Sequence, residues 1–225
     1  MDATEIAAAL DADGFARLPG LLRPTDCADL IARYGDDGAF RKTIDMARYR
    51  YGQGQYRYFA YPLPDLVRNL RERLYPPLAG IANSFAERLR EERRFPATHA
   101  AFVEQCHAAG QLRPTPLLLR YRAGDYNCLH RDLYGELHFP LQIVVMLSRP
   151  EDYEGGEFLL VENRARQQSR GHALRLGHGE GLVFPVINRP VESKRGYSRA
   201  GMRHGVSTVT AGERMTLGII FHDAA

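Results

Sequence analysis

The 225-residue sequence contains no tryptophan, three cysteines and only two lysines, Lys42 and Lys194. The cysteines, Cys27, Cys106 and Cys128, are widely spaced and include no Cys-x-x-Cys pair, which excludes a disulfide framework. No apolar run approaches the roughly 20 residues that a membrane span needs. The first residues also lack a basic segment followed by an apolar one. We therefore expect a cytoplasmic protein with no membrane partner.

The charge balance is close to neutral. There are 30 basic and 27 acidic residues, a net charge of +3, with 44% hydrophobic and 25% charged residues. This is an ordinary globular composition, and it excludes a disordered or fibrous chain. Nearly all the basic residues are arginines, which suits phosphate binding but equally reflects a coding bias. Composition alone therefore does not indicate a nucleic-acid partner.

The two halves of the chain have different patterns. Residues 1–114 read as mainly helical, with Phe15–Leu18 as a short strand, and residues 115–225 read as short strands separated by turns. The predicted helices are 5–10, one beginning at Pro24, one from Pro64 that Pro76-Pro77 ends, 78–92 and 96–110. The predicted strands are 117–122, 141–147, 157–161, 173–176, 182–186, 205–209 and 215–221. This order favours an α+β fold, a helical N-terminal extension (1–114) packed in one compact unit on a β core (115–225).

The strongest local motif is His130-Arg131-Asp132. In a strand, residues two apart share a face, so the imidazole of His130 and the carboxylate of Asp132 converge. They supply two thirds of the facial triad that holds non-heme Fe(II). By itself the motif is weak, because a His-x-Asp triplet also arises by chance.

The surrounding sequence strengthens this interpretation. Tyr121 begins a Tyr-x-x-Gly motif nine residues before His130, and His204 supplies a second histidine on an apolar strand. Arg214 follows His204 by ten residues, and Thr216 lies on the same strand face as Arg214.

With these motifs, residues 117–222 resemble the Fe(II)- and 2-oxoglutarate-dependent dioxygenases. The Tyr-x-x-Gly and His-x-Asp pattern is similar to that of prolyl hydroxylases and AlkB-type repair enzymes. The whole chain also resembles a bacterial family of predicted oxygenases thought to act on nucleic acid, including the stretches Gly52–Phe59 and Gly218–Asp223.

The resemblance implies a double-stranded β-helix (jelly-roll) core with His130, Asp132 and His204 as iron ligands. It implies Fe(II) as cofactor, 2-oxoglutarate and O2 as co-substrates, and a hydroxylation that releases succinate and CO2. Arg214 would bind the far carboxylate of 2-oxoglutarate, with Tyr121 and Thr216 as further donors. The charges agree, since Fe(II), Asp132, the 2-oxoglutarate dianion and Arg214 sum to zero, as a desolvated site requires.

The remaining histidines are weaker candidates. His172 and His178 lack a basic residue ten positions later, so we prefer His204 as the distal ligand. We expect packing roles for His138 and His222, although His138 could also contact the metal site or substrate. Cys128, two residues before His130, is likewise interpreted as a packing residue.

The stretch 41–61 is rich in tyrosine and arginine. It contains Tyr49, Tyr51, Tyr56, Tyr58 and Tyr61. It also has five basic residues but only one acidic residue, Asp45. Aromatics interleaved with cations suit stacked bases and phosphates. The alternative is a structural hairpin turning at Gly52-Gln53-Gly54, with tyrosines packed on the core.

Three functions therefore remain open. The first is oxidative demethylation of damaged nucleic-acid bases, which the resemblance suggests. Position 220, however, is Ile where AlkB-type enzymes have a second arginine that contacts the base. The second is hydroxylation of a small molecule, amino acid or protein side chain, with Arg203, Arg189 or Arg195 binding a substrate carboxylate. The third, a non-catalytic binding module, does not explain why all four of His130, Asp132, His204 and Arg214 are present.

Overall fold

The computed structural model describes residues 2–132, 135–194 and 196–225. Its α-helices are α1 (Ala3–Asp13), α2 (Pro24–Arg33), α3 (Asp65–Arg88) and α4 (His99–Ala108). Asp2 caps α1 through a capping box with Glu5, and Gly14 ends the helix in the left-handed conformation. Among the described residues, no helix is long and apolar enough to cross a membrane.

The strands form two antiparallel sheets, which confirms the predicted α+β fold with a double-stranded β-helix core. Those of the first half are β1 (Ala16–Leu18), β2 (Phe40–Asp45), β3 (Gly52–Gln53) and β4 (Gln55–Phe59). Those of the second half are β5 (Leu117–Arg122), β6 (Tyr126–His130), β7 (Leu141–Met146), β8 (Tyr153–Gly155), β9 (Phe158–Asn163), β10 (Arg170–Leu174), β11 (Gly181–Pro185), β12 (Asn188–Ser193), β13 (Gly196–Val206) and β14 (Val209–Ile219). The large sheet has the order β1-β11-β7-β14-β5-β4-β2, with β8 also paired to β14. The small sheet has the order β10-β9-β13-β6-β3, with β12 also paired to β13.

The first half is less helical than the sequence pattern predicted. Its four strands join the sheets of the second half: β1 pairs with β11, β4 with β5, and β3 with β6. These segments have only two to six residues, too few to show a clear hydrophobic period. The partners of β1, β3 and β4 in the second half lie far away in the sequence, so only the folded chain reveals these pairings.

The predicted break at Pro76-Pro77 is also wrong, because α3 continues through both prolines. A proline inside a helix loses a backbone hydrogen bond and crowds the preceding turn. The residues around the pair are deeply buried, however, and the Tyr75 ring stacks on Phe102 at 5.5 Å and contacts Phe139 at 5.1 Å. Packing of this helical face outweighs the local penalty.

The two faces of the large sheet have different partners. Side chains such as Leu118, Ile143 and Leu217 join the core cluster with the helices. The alternate residues, including Tyr121 and Val144, join a second cluster between the sheets with Phe158 and other small-sheet side chains. Because successive strand residues point to opposite faces, one β7 sequence serves both layers. The space between the sheets is where the functional side chains meet.

Candidate active site

The structure brings the three predicted iron ligands together between the sheets. His130 on β6 and His204 on β13 are direct cross-strand partners, with ring centroids 4.3 Å apart. Asp132 follows β6 and reaches both rings, with Oδ1 3.4 Å from Nε2 of His130 and Oδ2 3.2 Å from Nε2 of His204. One ligand atom from each residue lies within 4.8 Å of the others. This compact set of two imidazoles and one carboxylate has the composition of a facial triad.

Local contacts orient the two imidazoles. Nδ1 of His130 donates a hydrogen bond to the Cys128 carbonyl at 2.8 Å, which directs Nε2 toward Asp132. The His204 ring stacks on Phe158 at 5.9 Å and contacts Phe184 at 4.7 Å. Aromatic packing therefore holds His204, and a backbone carbonyl holds His130.

The electrostatics favour the ligating forms of Asp132 and His204. Burial alone would raise the pKa of Asp132, but hydrogen bonds from His130 and His204 hold it well below its usual range. Burial lowers the pKa of His204, which favours its neutral form. The pKa of His130 is raised, because the interaction with Asp132 outweighs burial. A metal ion would compete with a proton at His130.

Arg214 is a buried cation in the same cavity. Its side chain is 1% exposed, and none of its three guanidinium nitrogens has a hydrogen-bond partner among the described residues. Its Cζ lies 5.5 Å from the Tyr121 ring centroid. Gly156 makes room for it, because a Cβ there would lie 2.8 Å from Cδ of Arg214. An unpaired buried guanidinium is costly, so this position fits an anionic ligand.

Two hydroxyls accompany Arg214. Thr216 is buried on the same face of β14, and Tyr121 lies directly across from Arg214 on β5. The Tyr121 hydroxyl accepts a hydrogen bond from Nδ2 of Asn127 at 3.3 Å. Burial raises the pKa of Tyr121 to about 12, so its hydroxyl stays protonated and can donate.

One cavity of about 430 Å³ contains both groups of residues. His130, Asp132 and His204 line one part of it, and Arg214, Tyr121 and Thr216 line another. The ligand set suits a divalent metal, and the unpartnered guanidinium suits a carboxylate. The residues present therefore fit Fe(II) and 2-oxoglutarate.

The mouth of the cavity carries an exposed pair of stacked tyrosines. The rings of Tyr49 and Tyr51 lie 5.5 Å apart at an interplanar angle of 18°, and each side chain is 50% exposed. Arg50 lies between them in the left-handed conformation, with φ 58°, and lines the cavity together with Tyr51. A surface-exposed aromatic pair beside a cation is thus placed at the entrance.

The loop bearing this pair differs from the predicted hairpin. The hairpin strands are β2 and β4, and Tyr49 ends a short 3₁₀ helix between them. Beyond that helix, β3 pairs with β6, and the Cys128 amide donates to the Tyr51 carbonyl at 2.8 Å. Gly52 permits this approach, because a Cβ there would lie 2.3 Å from the Tyr126 carbonyl oxygen. The loop is therefore docked on the strand that carries His130.

The other candidate substrate residues have separate outcomes. Tyr56 lines the cavity, whereas Tyr58 is buried and packs edge-on against Tyr56 at 5.4 Å without lining it. Arg203 is exposed and outside the cavity lining, because it precedes His204 on β13 and points to the opposite face. This position does not favour the carboxylate-binding role of Arg203, which stays a prediction. Arg189 is wrong for the same role, since its Nε donates to Glu162 inside the protein at 2.5 Å.

Further sequence expectations can be compared with the structure. Arg195 lies outside the described residues. Cys128 is exposed and lines the cavity, so its interpretation as a packing residue is wrong. His222 is buried, and its Nδ1 accepts a hydrogen bond from the Phe139 amide at 3.1 Å, a packing role as expected. His172 contacts Phe15 edge-on at 5.3 Å, outside the cavity lining.

Sequence reasoning missed several residues that line the cavity. These are Asn127, Gln142 and the aromatic neighbours of His204. Gln142 was visible as the one polar residue in the run Leu141–Met146, but no motif marked it. Its significance depends on which face of β7 it occupies.

Comparison with known proteins identifies the family. A family model described as an oxygenase catalysing oxidative methylation of damaged DNA matches residues 54–224. The chain belongs to this oxygenase family. Uncharacterized proteins from two Mycobacterium tuberculosis strains are each 46% identical to the oxygenase over 197 residues, covering 87% of its chain and 79% of theirs.

Solved structures support the fold of the oxygenase. A Burkholderia pseudomallei oxidoreductase of the 2-oxoglutarate–Fe(II) oxygenase family has a TM-score of 0.57 at 16% identity, covering 100% of this chain and 94% of that one. A Pseudomonas putida prolyl-4-hydroxylase has a TM-score of 0.54 at 15% identity, with complete coverage of both chains. The family match makes the protein an oxygenase, the solved structures show its fold, and the His-Asp-His cluster is a candidate metal site.

Proposed function

We propose that the oxygenase oxidatively demethylates damaged nucleic-acid bases. The observation that carries the proposal is one cavity that unites the His130–Asp132–His204 cluster with the unpartnered guanidinium of Arg214. The description of the matched family supports a DNA substrate. A hydroxylated N-methyl group is lost as formaldehyde, so the net result on such a base is demethylation.

In this proposal the three ligands hold Fe(II) through Nε2 of each histidine and the carboxylate of Asp132. When bound, Fe(II) with 2-oxoglutarate and O2 supplies the oxidising chemistry that inserts one oxygen atom into a substrate C–H bond and releases succinate and CO2. Phe158 and Phe184 keep water away from His204 and fix its ring.

The second part of the proposal concerns 2-oxoglutarate. The planar fork of Arg214 binds the far carboxylate through two parallel hydrogen bonds, and the hydroxyls of Thr216 and Tyr121 add donors. The cavity is largely shielded from solvent at this point, which strengthens the ion pair. Asn127 positions the Tyr121 hydroxyl.

The third part concerns the nucleic acid. Tyr49 and Tyr51 present an exposed aromatic surface at the cavity mouth, with Arg50 beside it. Bases stack on such rings, and the arginine suits the phosphate backbone. A base must leave its stack before its methyl group can reach the metal, so single-stranded or flipped bases are the expected substrates.

The proposal predicts formaldehyde release from methylated oligonucleotides. Iron-loaded protein, 2-oxoglutarate and a single-stranded oligonucleotide carrying 1-methyladenine should yield formaldehyde and succinate in equal amounts. The unmethylated oligonucleotide is the control and should yield no formaldehyde. Succinate formation that responds to a metabolite pool but not to any methylated oligonucleotide would contradict the nucleic-acid substrate and favour a small-molecule hydroxylase.

The tyrosine pair can be tested through binding. We expect Tyr51→Ala to weaken binding of a single-stranded oligonucleotide roughly 5- to 100-fold, because base–aromatic stacking contributes about 1–3 kcal/mol. Fluorescence anisotropy measures the change. Tyr197→Ala is the matched control, since Tyr197 is 47% exposed and also lies beside an arginine, Arg88, with Cζ 5.1 Å from its ring centroid. Equal weakening in both variants would contradict a specific role for Tyr51.

A further inference from the structure

Gln142 is a buried polar side chain whose amide oxygen lacks a partner among the described residues. It is 6% exposed. The side chain lines the same cavity as the metal cluster. Nearby cavity walls are apolar, formed by Leu117, Val144 and Phe184. Native proteins rarely leave such a group unsatisfied, so an amide oxygen that faces a cavity is suited to bind water or a polar ligand there.

The strand register places Gln142 at the metal end of the cavity. It is the direct cross-strand partner of Phe184 on β11, and the Phe184 ring centroid lies 4.7 Å from that of His204. Cross-strand partners share a face, so the Gln142 amide lies beside the aromatic ring that packs on a proposed iron ligand.

The same register separates Gln142 from the proposed 2-oxoglutarate anchor. Gln142 lies beyond the Ile143–Ile219 pair of β7 and β14. Ile219 is five residues after Arg214, about 17 Å along an extended strand. Arg214 and Gln142 therefore occupy different levels of the β14–β7 pair, which leaves the Gln142 amide available to a ligand other than the one bound at Arg214.

We propose that Gln142 is a substrate-binding residue that hydrogen-bonds to the polar edge of the base at the metal. This inference rests on the proposed function. A glutamine amide offers one acceptor and two donors on a short rigid plane, which matches the adjacent donors and acceptors of a nucleobase edge. In an apolar wall, a single hydrogen bond of this kind contributes strongly to substrate selection. Gln142 would also supply a contact to the base, which the apolar Ile220 does not provide at the position where AlkB-type enzymes have a second arginine.

Gln142→Leu tests the assignment with three readouts. With iron-loaded protein and the 1-methyladenine oligonucleotide, we expect kcat/KM for formaldehyde release to fall about tenfold, the loss of one hydrogen bond. The KM for 2-oxoglutarate should not change. The melting temperature of the ligand-free protein should rise by about 2–4 °C, because leucine removes an unpartnered buried amide.

Gln105→Leu is the matched control, since it makes the same change on the exposed surface of α4 and should leave all three readouts unchanged.

A raised KM for 2-oxoglutarate in Gln142→Leu would overturn the assignment by placing Gln142 in the co-substrate site. A lower melting temperature would overturn it by showing a structural hydrogen bond. If the wild type releases no formaldehyde, the proposed function itself fails, and the methylated base is no longer a candidate ligand of Gln142. Release that Gln142→Leu leaves unchanged contradicts only the Gln142 inference.

Discussion

Replacing His204 by alanine should abolish the conversion of 2-oxoglutarate to succinate. The variant removes one of the three atoms proposed to hold the metal and leaves Asp132 with a single histidine partner. Loss of groups that merely orient metal ligands costs 10- to 100-fold, so loss of a ligand should lower turnover by more than about 100-fold. Succinate formation in iron-loaded protein measures the effect, and stoichiometric metal analysis shows whether the ion is still bound.

The control for this experiment is His172→Ala, which removes a histidine that the sequence left open as a distal ligand. His172 lies on β10 outside the cavity lining, so its variant should keep normal turnover and metal content. Unchanged turnover in His204→Ala, or an equal loss in His172→Ala, would contradict the metal-site assignment.

The second large effect is expected for Arg214→Met. Methionine preserves much of the volume but removes the charge, so binding of the far carboxylate of 2-oxoglutarate loses a buried ion pair. Removing one partner of such a pair costs about 2–5 kcal/mol, which predicts a KM for 2-oxoglutarate at least ~30-fold higher. Steady-state kinetics measures this change directly.

Thermal unfolding gives an independent measure for the same variant. In the wild type, 2-oxoglutarate should raise the melting temperature by mass action, and in Arg214→Met this shift should disappear. Without ligand, the variant should be at least as stable as the wild type, since the guanidinium it removes is buried and unpartnered. Arg203→Met is the control and should keep the wild-type shift, because Arg203 lies on the outer face of β13. A full shift in Arg214→Met would contradict its role.

Sequence motifs predicted much of the candidate site because its chemistry depends on short spacings. The two-residue step from His130 to Asp132 lies at the end of β6, and the ten-residue step from His204 to Arg214 links the consecutive strands β13 and β14. Period-two geometry then fixes which side chains share a face, so Thr216 could be placed with Arg214 without a structure. The apolar runs of β5, β7 and β11 were equally clear.

The prediction was weaker where local signals conflict with tertiary packing. Pro76 and Pro77 are strong local breakers, yet burial of the surrounding face keeps α3 intact. Arg203 and Arg189 both precede His204 in the sequence. In the structure, Arg203 points outward, and Arg189 donates a hydrogen bond to Glu162 inside the protein. Sequence proximity does not determine the direction of a side chain.

The sequence alone thus predicted the α+β fold class from the order of helical and strand patterns, and the resemblance of its motifs to the 2-oxoglutarate-dependent dioxygenases implied the metal- and co-substrate-binding candidates. Only the tertiary structure decided which polar groups are buried without partners, as at Arg214 and Gln142, and which aromatic residues reach the cavity mouth, as at Tyr51. Burial and partnership arise from contacts between strands that are distant in the chain, such as β7 with β11 and β3 with β6. These contacts exist only after the sheets have assembled.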